Sequence, residues 1–366
     1  MKVGISANAL KHSGGLERYA MDLVQGLAAR QMRPAFFARK FDPSLAEYAL
    51  IEPHRINVSL LPGKLRDRWF SWRLAALRRR AGVDVLIGCN RVDSSEVAIC
   101  GGTHRGFLRA TQRALRGSDQ RQIELESRQY AQSRVIVAHS ALMREELLEL
   151  YGVDDAKIRV LCPPVDGARF SPVDANARAA LRKQYGFGEH ETVLLFPSSS
   201  HARKGLPLIQ TVVEALDLPV VVAVAGRPPE RTSEHVRYIG YVKDLENAYR
   251  AADYTILASK YEPFGLVGIE SVMCGTPVIF SSNIGCCDAI DDHAKYVFRP
   301  DDAADLRRTL ETAVAARGRR IAGPAVAGGA HPAVRYDASV AAHVDALLDL
   351  ADEVKAVVAA DIASSR

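Results

Sequence analysis

The sequence predicts an α/β protein made of two doubly wound, Rossmann-like domains. Short hydrophobic runs alternate with amphipathic segments along the chain, a pattern typical of parallel sheets covered by helices. The alternation stops in a proline-rich segment, 163–172, and then starts again. The chain has 366 residues, more than one hydrophobic core usually serves. Together these observations favour two domains of similar architecture.

We place the N-terminal domain at residues 1–168 and the C-terminal domain at 169–335. A last helix, about 336–366, is expected to pack back onto the N-terminal domain, after an Ala- and Gly-rich linker at 323–333. The composition, 48% hydrophobic and 25% charged, is typical of a globular protein. The net charge of +5 is mildly basic, so the distribution of charge matters more than its sum.

Three features of the sequence indicate the cellular location of the protein. No segment approaches the roughly 18 consecutive apolar residues of a membrane-spanning helix. The hydrophobic stretch at the start is too short and interrupted for a signal peptide. The six cysteines form no C-x-x-C pair, which disfavours a zinc site or a disulfide framework. We therefore expect a cytoplasmic protein with reduced thiols, whose contact with a membrane would be peripheral, on the inner face.

The predicted elements follow from hydrophobic runs and capping residues. Ser140 can cap a helix at 141–151, and a glycine loop precedes a helix at 16–28. Strands are predicted at 3–6, 34–38, 56–60, 83–88, 96–100, 135–139 and 158–161, then at 193–196, 220–225, 254–258 and 277–280. Ligands of doubly wound sheets bind beyond the carboxyl ends of the strands, here in the expected cleft between the domains.

The most informative segment is an E-x7-E pair, Glu262 and Glu270, after the strand at 254–258. Pro263 and Gly265 suit the start of a helix, so Glu262 is predicted in the preceding loop and Glu270 one or two turns into the helix. Helix N-termini bind phosphate, and carboxylates accept hydrogen bonds from sugar hydroxyls. The segment therefore indicates a nucleotide-sugar site, although acidic residues near a helix start also occur simply because they complement the helix dipole.

A second candidate is the loop 198–205, which ends in Arg203-Lys204-Gly205. Its cations and backbone N–H groups suit a diphosphate. Taken alone, the same three residues are more often a solvated turn.

Further candidates follow other predicted strands. Gly14 and Gly15 permit close backbone approach before the helix that carries Glu17. The remaining candidates are His104 and Arg105 after the strand at 96–100, Gly226 after the strand at 220–225, and Tyr241 and Val242 after Gly240. A lone histidine is more often structural, so His104 carries less weight than the E-x7-E pair.

This combination of motifs resembles the family 4 glycosyltransferases, which have the GT-B fold. The resemblance covers nearly the whole chain and includes the glycine loop, a hinge at 151–170, the Arg-Lys-Gly loop and the E-x7-E segment. Within the family the chain is most similar to the lipopolysaccharide core glucosyltransferases of Gram-negative bacteria, in residues 88–91 and 105–109. One departure is Pro197-Ser198-Ser199, where the family usually has Gly-Arg.

The resemblance implies a retaining transfer of a hexose, glucose, from a UDP-sugar to a lipopolysaccharide core or another lipid-linked, cell-surface glycan. It implies no metal and no other cofactor, since the cations of the Arg-Lys-Gly loop would neutralise the leaving diphosphate. The implied catalytic residues are Glu262, His104, Lys204 and Arg203. The implied substrate-binding residues are Gly14, Gly15, Glu17, Arg105, Arg203, Lys204, Gly226, Tyr241, Val242, Glu262, Phe264, Gly265, Leu266 and Glu270.

Other functions stay open at this point. A nucleotide-sugar epimerase shares the fold, and a non-catalytic protein that binds nucleotides or glycans would share the site. A glycoside hydrolase could use Glu262 and Glu270 as its two carboxylates, but the neighbouring cationic loop argues against it. Two basic stretches, 64–80 and 105–121, mix cations with large apolar residues, as membrane-surface helices and ordinary amphipathic helices both do. Nucleic acid is disfavoured, because no recognition motif accompanies this charge.

Overall fold

The computed structural model describes residues 1–12, 14–317, 331 and 333–364. The chain divides into two compact units, one formed by Met1–Pro164 with the chain from Val340 onward, and the other by Val165–Ser339. Each unit contains its own parallel sheet. The predicted linker at 323–333 lies outside the described residues, apart from His331 and Ala333.

The first unit alternates strands with helices, as the hydrophobic pattern predicts. Its elements are β1 (Val3–Ser6), β2 (Ala9–Leu10), α1 (Gly15–Ala29), β3 (Ala35–Ala38), β4 (Lys40–Phe41), β5 (Glu52–Arg55), α2 (Gly63–Arg80), β6 (Val85–Gly88), β7 (Val97–Cys100), α3 (His104–Thr111), α4 (Gly117–Gln132), β8 (Val135–Ala138), α5 (Ala141–Tyr151) and β9 (Ile158–Val160). The main sheet has the order β5-β3-β1-β6-β7-β8-β9, so the strand order reverses between β1 and β6.

The central strands of this unit are buried along their whole length, which explains their continuous hydrophobic runs. Phe36 and Phe37 on β3 are fully buried and pack into the clusters on the two faces of the sheet. Complete burial of one such side chain stabilises the fold by roughly 1.5–3 kcal/mol. The main sheet is therefore covered by apolar residues on both faces.

The predicted strand at 56–60 is wrong. The strand in this region is β5, four residues earlier, and it pairs with β3 at the edge of the sheet. Its residues, Glu-Pro-His-Arg, are half-buried or exposed in alternation, as expected for an edge strand, where a proline is tolerated. Ile56 and Val58 are buried instead as loop residues beside Phe70 and Leu74 of α2.

The second unit repeats the alternation. Its elements are α6 (Ala175–Gln184), β10 (Thr192–Ser198), α7 (His201–Lys204), α8 (Leu206–Glu214), β11 (Val220–Gly226), β12 (Val236–Tyr238), α9 (Leu245–Ala251), β13 (Tyr254–Leu257), α10 (Leu266–Met273), β14 (Val278–Ser281), β15 (Lys295–Phe298) and α11 (Ala303–Ala315). The sheet order is β12-β11-β10-β13-β14-β15, which reverses between β10 and β13.

The last helix, α12 (Val340–Ser364), belongs to the first unit and packs against α1. Gly26 of α1 permits the close approach, because a Cβ there would lie 2.5 Å from Val344 Cγ2. The Tyr19 hydroxyl is 2.8 Å from His343 Nε2, and His343 Nδ1 is 3.0 Å from the Cys162 carbonyl. The carbonyl can only accept, so Nδ1–H donates to it and Tyr19 donates to Nε2. Burial lowers the pKa of His343 to about 4, so the imidazole is neutral at pH 7, as this chain of hydrogen bonds requires.

Within the described residues, none of the helices combines the length and the apolar character that crossing a bilayer requires.

Candidate active site

Glu262 and Glu270 lie where the sequence predicts, one in the loop after β13 and the other in the second turn of α10. The loop is fixed through its backbone, because Gly285 N–H donates to the Glu262 carbonyl at 3.0 Å and Cys286 N–H to the Phe264 carbonyl at 2.7 Å. Gly265 has φ of +92°, and a Cβ there would lie 3.0 Å from Ile284. The position therefore requires glycine.

The Glu262 carboxylate pairs with Arg203. Arg203 Nη1 donates to Glu262 Oε2 at 3.0 Å and to the Tyr261 carbonyl at 2.8 Å. Both side chains stay partly exposed, 33% for Arg203 and 17% for Glu262, so each can still meet a ligand. The structure thus joins two residues that are 59 positions apart in the sequence.

Lys204 lies beside this pair. Its Nζ donates to the Pro197 carbonyl at 2.9 Å. Burial lowers the pKa of the Lys204 ammonium, the nearby carboxylate of Glu262 opposes the shift, Arg203 adds to it, and Glu270 also opposes it. An ammonium that has lost much of its water gains from a bound anion, because the anion restores the electrostatic stabilisation that water no longer provides.

The turn after Lys204 fixes the two loops to each other. Gly205 has φ of +79°, and a Cβ there would lie 2.1 Å from the Ala258 carbonyl oxygen. Ala258 N–H donates to the Lys204 carbonyl at 3.1 Å, and Lys260 N–H to the Arg203 carbonyl at 2.9 Å. The loops that follow β10 and β13 are therefore held together at the point where the strand order reverses, which is where doubly wound sheets bind ligands.

Glu270 is buried and accepts a hydrogen bond from the Tyr249 hydroxyl at 3.0 Å. Tyr249 lies on α9 and was not among the predicted site residues. The hydrogen bond fixes the orientation of the carboxylate. Phe264 is also buried and Leu266 is the first residue of α10, so their backbone groups are better placed than their side chains to meet a ligand.

The remaining predicted residues of this unit lie at the ends of β11 and β12. Gly226 has φ of +110°, and a Cβ there would lie 2.6 Å from the Ser198 carbonyl oxygen. Gly226 N–H donates to the Gly240 carbonyl at 2.8 Å. Tyr241 is 80% exposed, while Val242 is half-buried. These backbone contacts connect the loop at 240–242 to the loop that carries Lys204.

In the first unit, the glycine loop begins α1. Gly14 occupies the N-cap position, and its N–H donates to Glu17 Oε2 at 3.2 Å, while Gly15 is exposed. The segment after β7 lies beside this loop, because a Cβ at Gly101 would be 3.0 Å from Leu16 Cδ2. The structure therefore brings the glycine loop near the segment that leads to His104.

His104 is the first residue of α3, and its ring is held by a carboxylate. His104 Nε2 lies 2.9 Å from Asp119 Oδ1, and Arg113 donates to the same oxygen at 2.6 Å. The Arg113 guanidinium is the main cause of a pKa of Asp119 well below the usual range, so this carboxylate stays ionised. The sequence analysis missed Asp119, whose one local signal is its place in the third position of α4.

Arg105 contacts α5, since its guanidinium donates to the Leu150 carbonyl at 2.8 Å and lies over the Tyr151 ring. The Tyr151 hydroxyl in turn donates to the buried Glu126, which also pairs with Arg91 at 2.6 Å. This network ties α3, α4 and α5 together.

The described residues contain no cluster of His, Cys, Asp or Glu that could hold a metal ion.

Comparison with known proteins identifies the class to which this fold and site belong. Residues 13–169 match the model of Glycosyltransferase Family 4, and residues 177–320 match that of the glycosyl transferases group 1. A probable transglycosylase of Burkholderia thailandensis is 65% identical over 96% of this chain and 97% of its own length. A D-inositol 3-phosphate glycosyltransferase of Xylanimonas cellulosilytica is 32% identical over 59% of this chain and 57% of its own.

Solved structures agree on the fold. WaaG, a glycosyltransferase involved in lipopolysaccharide biosynthesis, superposes with a TM-score of 0.73 at 18% identity, over 86% of this chain and 90% of its own. Anabaena HepE in complex with UDP-glucose gives a TM-score of 0.68 at 15% identity, over the full length of both chains. The chain belongs to the group 1 glycosyltransferases with an N-terminal Family 4 domain, and it has the predicted GT-B fold. It is accordingly an enzyme that transfers a sugar from a nucleotide-sugar donor.

Proposed function

We propose that this enzyme is a retaining hexosyltransferase that moves glucose from UDP-glucose to a lipopolysaccharide core or another lipid-linked glycan. The observation that carries the proposal is the grouping of Arg203, Lys204 and Glu262 at the reversal of strand order in the second unit. The names of two proteins with the same fold support the donor and the acceptor, since HepE is complexed with UDP-glucose and WaaG is involved in lipopolysaccharide biosynthesis.

Each part of the donor has a matching group. Lys204 and Arg203 would bind the diphosphate, with the N-terminus of α10 adding backbone N–H groups. Glu262 would accept hydrogen bonds from hydroxyls of the hexose. Glu270, oriented by Tyr249, would accept from hydroxyls of the ribose. Backbone groups around Val242 would meet the base.

Lys204 and Arg203 would also promote the transfer reaction. In the proposed step the acceptor oxygen bonds to the anomeric carbon on the face from which the diphosphate leaves. The departing phosphate oxygen takes the proton of the acceptor hydroxyl. Negative charge develops on the diphosphate, where Lys204 and Arg203 stabilise it, and we therefore expect the reaction to proceed without added divalent metal.

Groups of the first unit would serve the acceptor. His104, with its ring fixed by Asp119, would position an acceptor or donor hydroxyl. The glycine loop, Gly14 and Gly15 with Glu17, would contact the acceptor. Arg105, whose guanidinium is committed to Leu150 and Tyr151, would contribute by holding α3 in place.

A peripheral membrane contact belongs to the same proposal. Trp69 and Trp72 on α2 are 40% and 60% exposed, with ring centroids 5.0 Å apart, and Lys64 and Arg68 on the same helix are exposed. Exposed tryptophans beside cations suit the surface of an anionic bilayer. We expect the full chain to sediment with phosphatidylglycerol vesicles and not with phosphatidylcholine vesicles, and equal sedimentation with both would contradict this contact.

The test of the function is a product analysis. The full chain is incubated with ¹³C-labelled UDP-glucose, excess EDTA and a detergent-solubilised, truncated lipopolysaccharide core, and the products are identified by NMR. An α-linked glucosyl product is expected, because UDP-glucose is itself the α-anomer. A β-linked product would exclude retention, free glucose alone would favour hydrolysis, and an isomeric sugar nucleotide formed without acceptor would favour an epimerase.

A further inference from the structure

A pocket of about 440 Å³ opens at the carboxyl ends of β1, β3 and β5 in the first unit. Five cations line it, and they come from four separate segments of the chain: Lys11, Arg39, Lys40, Arg55 and Arg66. The single carboxylate in its lining is that of Glu17, from the glycine loop. The pocket is thus strongly cationic and adjoins the loop that the proposed function assigns to the reaction.

The positive charge of this pocket is only partly neutralised. Within the part of the chain that the structure describes, Lys11, Lys40 and Arg55 have no ion-pair or hydrogen-bond partner for their side chains. Arg39 is different, because it pairs with Asp67 and stacks over the Phe70 ring. Arg66 is also held, because its Nε donates to the Leu61 carbonyl at 2.9 Å. The pocket therefore has two cations in fixed positions and three that are available to a ligand.

The other lining groups are suited to a sugar. Asn8, Asn57 and Ser59 contribute amide and hydroxyl groups, which donate to and accept from hydroxyls. The Asn57 side-chain oxygen accepts from Ser59 N–H at 2.9 Å, which fixes this turn. A volume of this size accommodates a small ligand such as a sugar phosphate.

We propose that this pocket binds a phosphate group carried by the acceptor. Like-charged side chains repel one another, and an oxyanion in their midst turns that repulsion into charge-assisted hydrogen bonds. The inference rests on the proposed function, because it is Glu17 and the glycine loop that connect the pocket to the reaction. It limits the proposed acceptors to phosphorylated glycans.

The experiment separates this pocket from the donor diphosphate site. Inorganic pyrophosphate is titrated by calorimetry into the full-length Lys204→Ala protein, in which the donor site is weakened. The same titration is made after adding Lys40→Gln and Arg55→Gln, and, as the control, after adding Arg79→Gln and Arg80→Gln. The control removes the same charge from exposed positions on α2 of the same unit.

We expect pyrophosphate to bind the Lys204→Ala protein, to bind at least tenfold more weakly when Lys40 and Arg55 are changed, and to bind within about twofold of its original affinity in the control. Equal weakening in both would mean a general attraction to net charge and would overturn the proposal. Absence of binding to the Lys204→Ala protein would overturn it as well. UDP-glucose binding to the wild type is measured separately, so a failure of the donor site is recognised independently.

Two further titrations identify the source of the phosphate. Glucose 6-phosphate represents a phosphorylated glycan, and vesicles containing phosphatidic acid represent a lipid headgroup. Binding of glucose 6-phosphate that is lost in Lys40→Gln/Arg55→Gln supports the acceptor assignment. Vesicle binding that depends on these two residues, without binding of glucose 6-phosphate, would assign the pocket to lipid and contradict it.

Discussion

The two sheets reverse their strand order in the same way, yet charged side chains near the carboxyl ends of their strands are held differently. In the second unit the loops after β10 and β13 are tied by backbone hydrogen bonds, by the Arg203–Glu262 ion pair and by the tight packing of Gly205. In the first unit Lys40, on β4, and Arg55, the last residue of β5, have no partners among the described residues.

This difference predicts how each of the two units would bind its ligand. The second unit holds its charged groups in position before the ligand arrives, which lowers the entropic cost of binding. In the first unit Lys40 and Arg55 are exposed and have no partner among the described residues. A bound ligand would itself provide the negative charge that pairs with them. A preformed site suits a ligand of constant structure, such as a nucleotide diphosphate.

The largest expected effect comes from breaking the preformed turn. Gly205→Ala places a Cβ 2.1 Å from the Ala258 carbonyl oxygen in a residue with φ of +79°, so the loops after β10 and β13 must separate. We expect a loss of roughly 2–4 kcal/mol in the free energy of unfolding, measured by urea titration, together with loss of donor binding.

Gly186→Ala is the matched control for Gly205→Ala. Gly186 has φ of +68°, but no atom lies within 4 Å of the Cβ position. The control should lose only about 1–2 kcal/mol, the cost of the left-handed backbone. Equal losses in the two variants would show that the loops are not clamped at Gly205.

The second prediction separates the function of Glu262 from its ion pair. Glu262→Ala should reduce kcat/KM for glucosyl transfer by roughly 10²–10³-fold, because it removes a group proposed to contact the hexose. The melting temperature should change little, since the Arg203–Glu262 pair is partly exposed and such pairs contribute little to stability.

Glu191→Ala provides the control for Glu262→Ala. Glu191 pairs with Arg237 at 2.8 Å with similar exposure, and it precedes the amino end of β10, away from the proposed site. This variant should keep its transfer activity. If both variants lost activity alike, the effect would belong to the fold and not to the substrate.

The third prediction is that lowering the pH reduces the stability of the first unit. Burial lowers the pKa of His343 to about 4 and that of His139 to about 3, whereas in the unfolded chain both titrate near 6.5. Between pH 6.5 and 4 the unfolded chain takes up protons that the folded chain does not, so stability is present above pH 6.5 and is lost as pH falls. His343 alone should account for a loss on the order of 2–3 kcal/mol.

Tryptophan fluorescence measures this loss, since both tryptophans, Trp69 and Trp72, lie in the first unit. The urea midpoint should fall between pH 7 and pH 4.5, and His343→Gln should make the fall smaller while lowering stability at pH 7. An unchanged midpoint in the wild type would show that these histidines are not held neutral.

The fourth prediction has the smallest effect and concerns Lys204. Its pKa is lowered by burial in the free protein, and a bound diphosphate would raise it. The affinity for UDP should therefore be constant below the lowered pKa and should decline as the pH rises through it. Calorimetry from pH 7 to pH 10 measures the decline, which should be absent in Lys204→Met. A decline that persists in that variant would assign the titration to another group.

The sequence predicted elements well where the signals are local. The bounds of α5 are those predicted, because Ser140 accepts a hydrogen bond from Met143 N–H at 3.2 Å and Gly152 ends the helix at φ of +62°. β5 was misplaced because an edge strand is set by its pairing with β3, and the hydrophobic residues Ile56 and Val58 are buried outside any strand.

The candidate site shows the same contrast between local signals and contacts that form only in the folded chain. The loops that carry Glu262 and Lys204 could be predicted from motifs next to strands. The Arg203–Glu262 pair could not, because it depends on β10 and β13 being neighbours in the sheet. The partners Asp119 and Tyr249 were missed for the same reason, since each meets its carboxylate or imidazole partner only after helices have packed.

The central claim is that the loops after β10 and β13 form the donor site, and calorimetric titration of UDP-glucose without metal tests it most directly. We expect binding to the wild type, about 10–100-fold weaker binding to Lys204→Ala through loss of a charge-assisted hydrogen bond, and unchanged binding to Lys183→Ala, an exposed lysine of the same unit. Equal affinity in all three proteins, or no binding to the wild type, would contradict the claim.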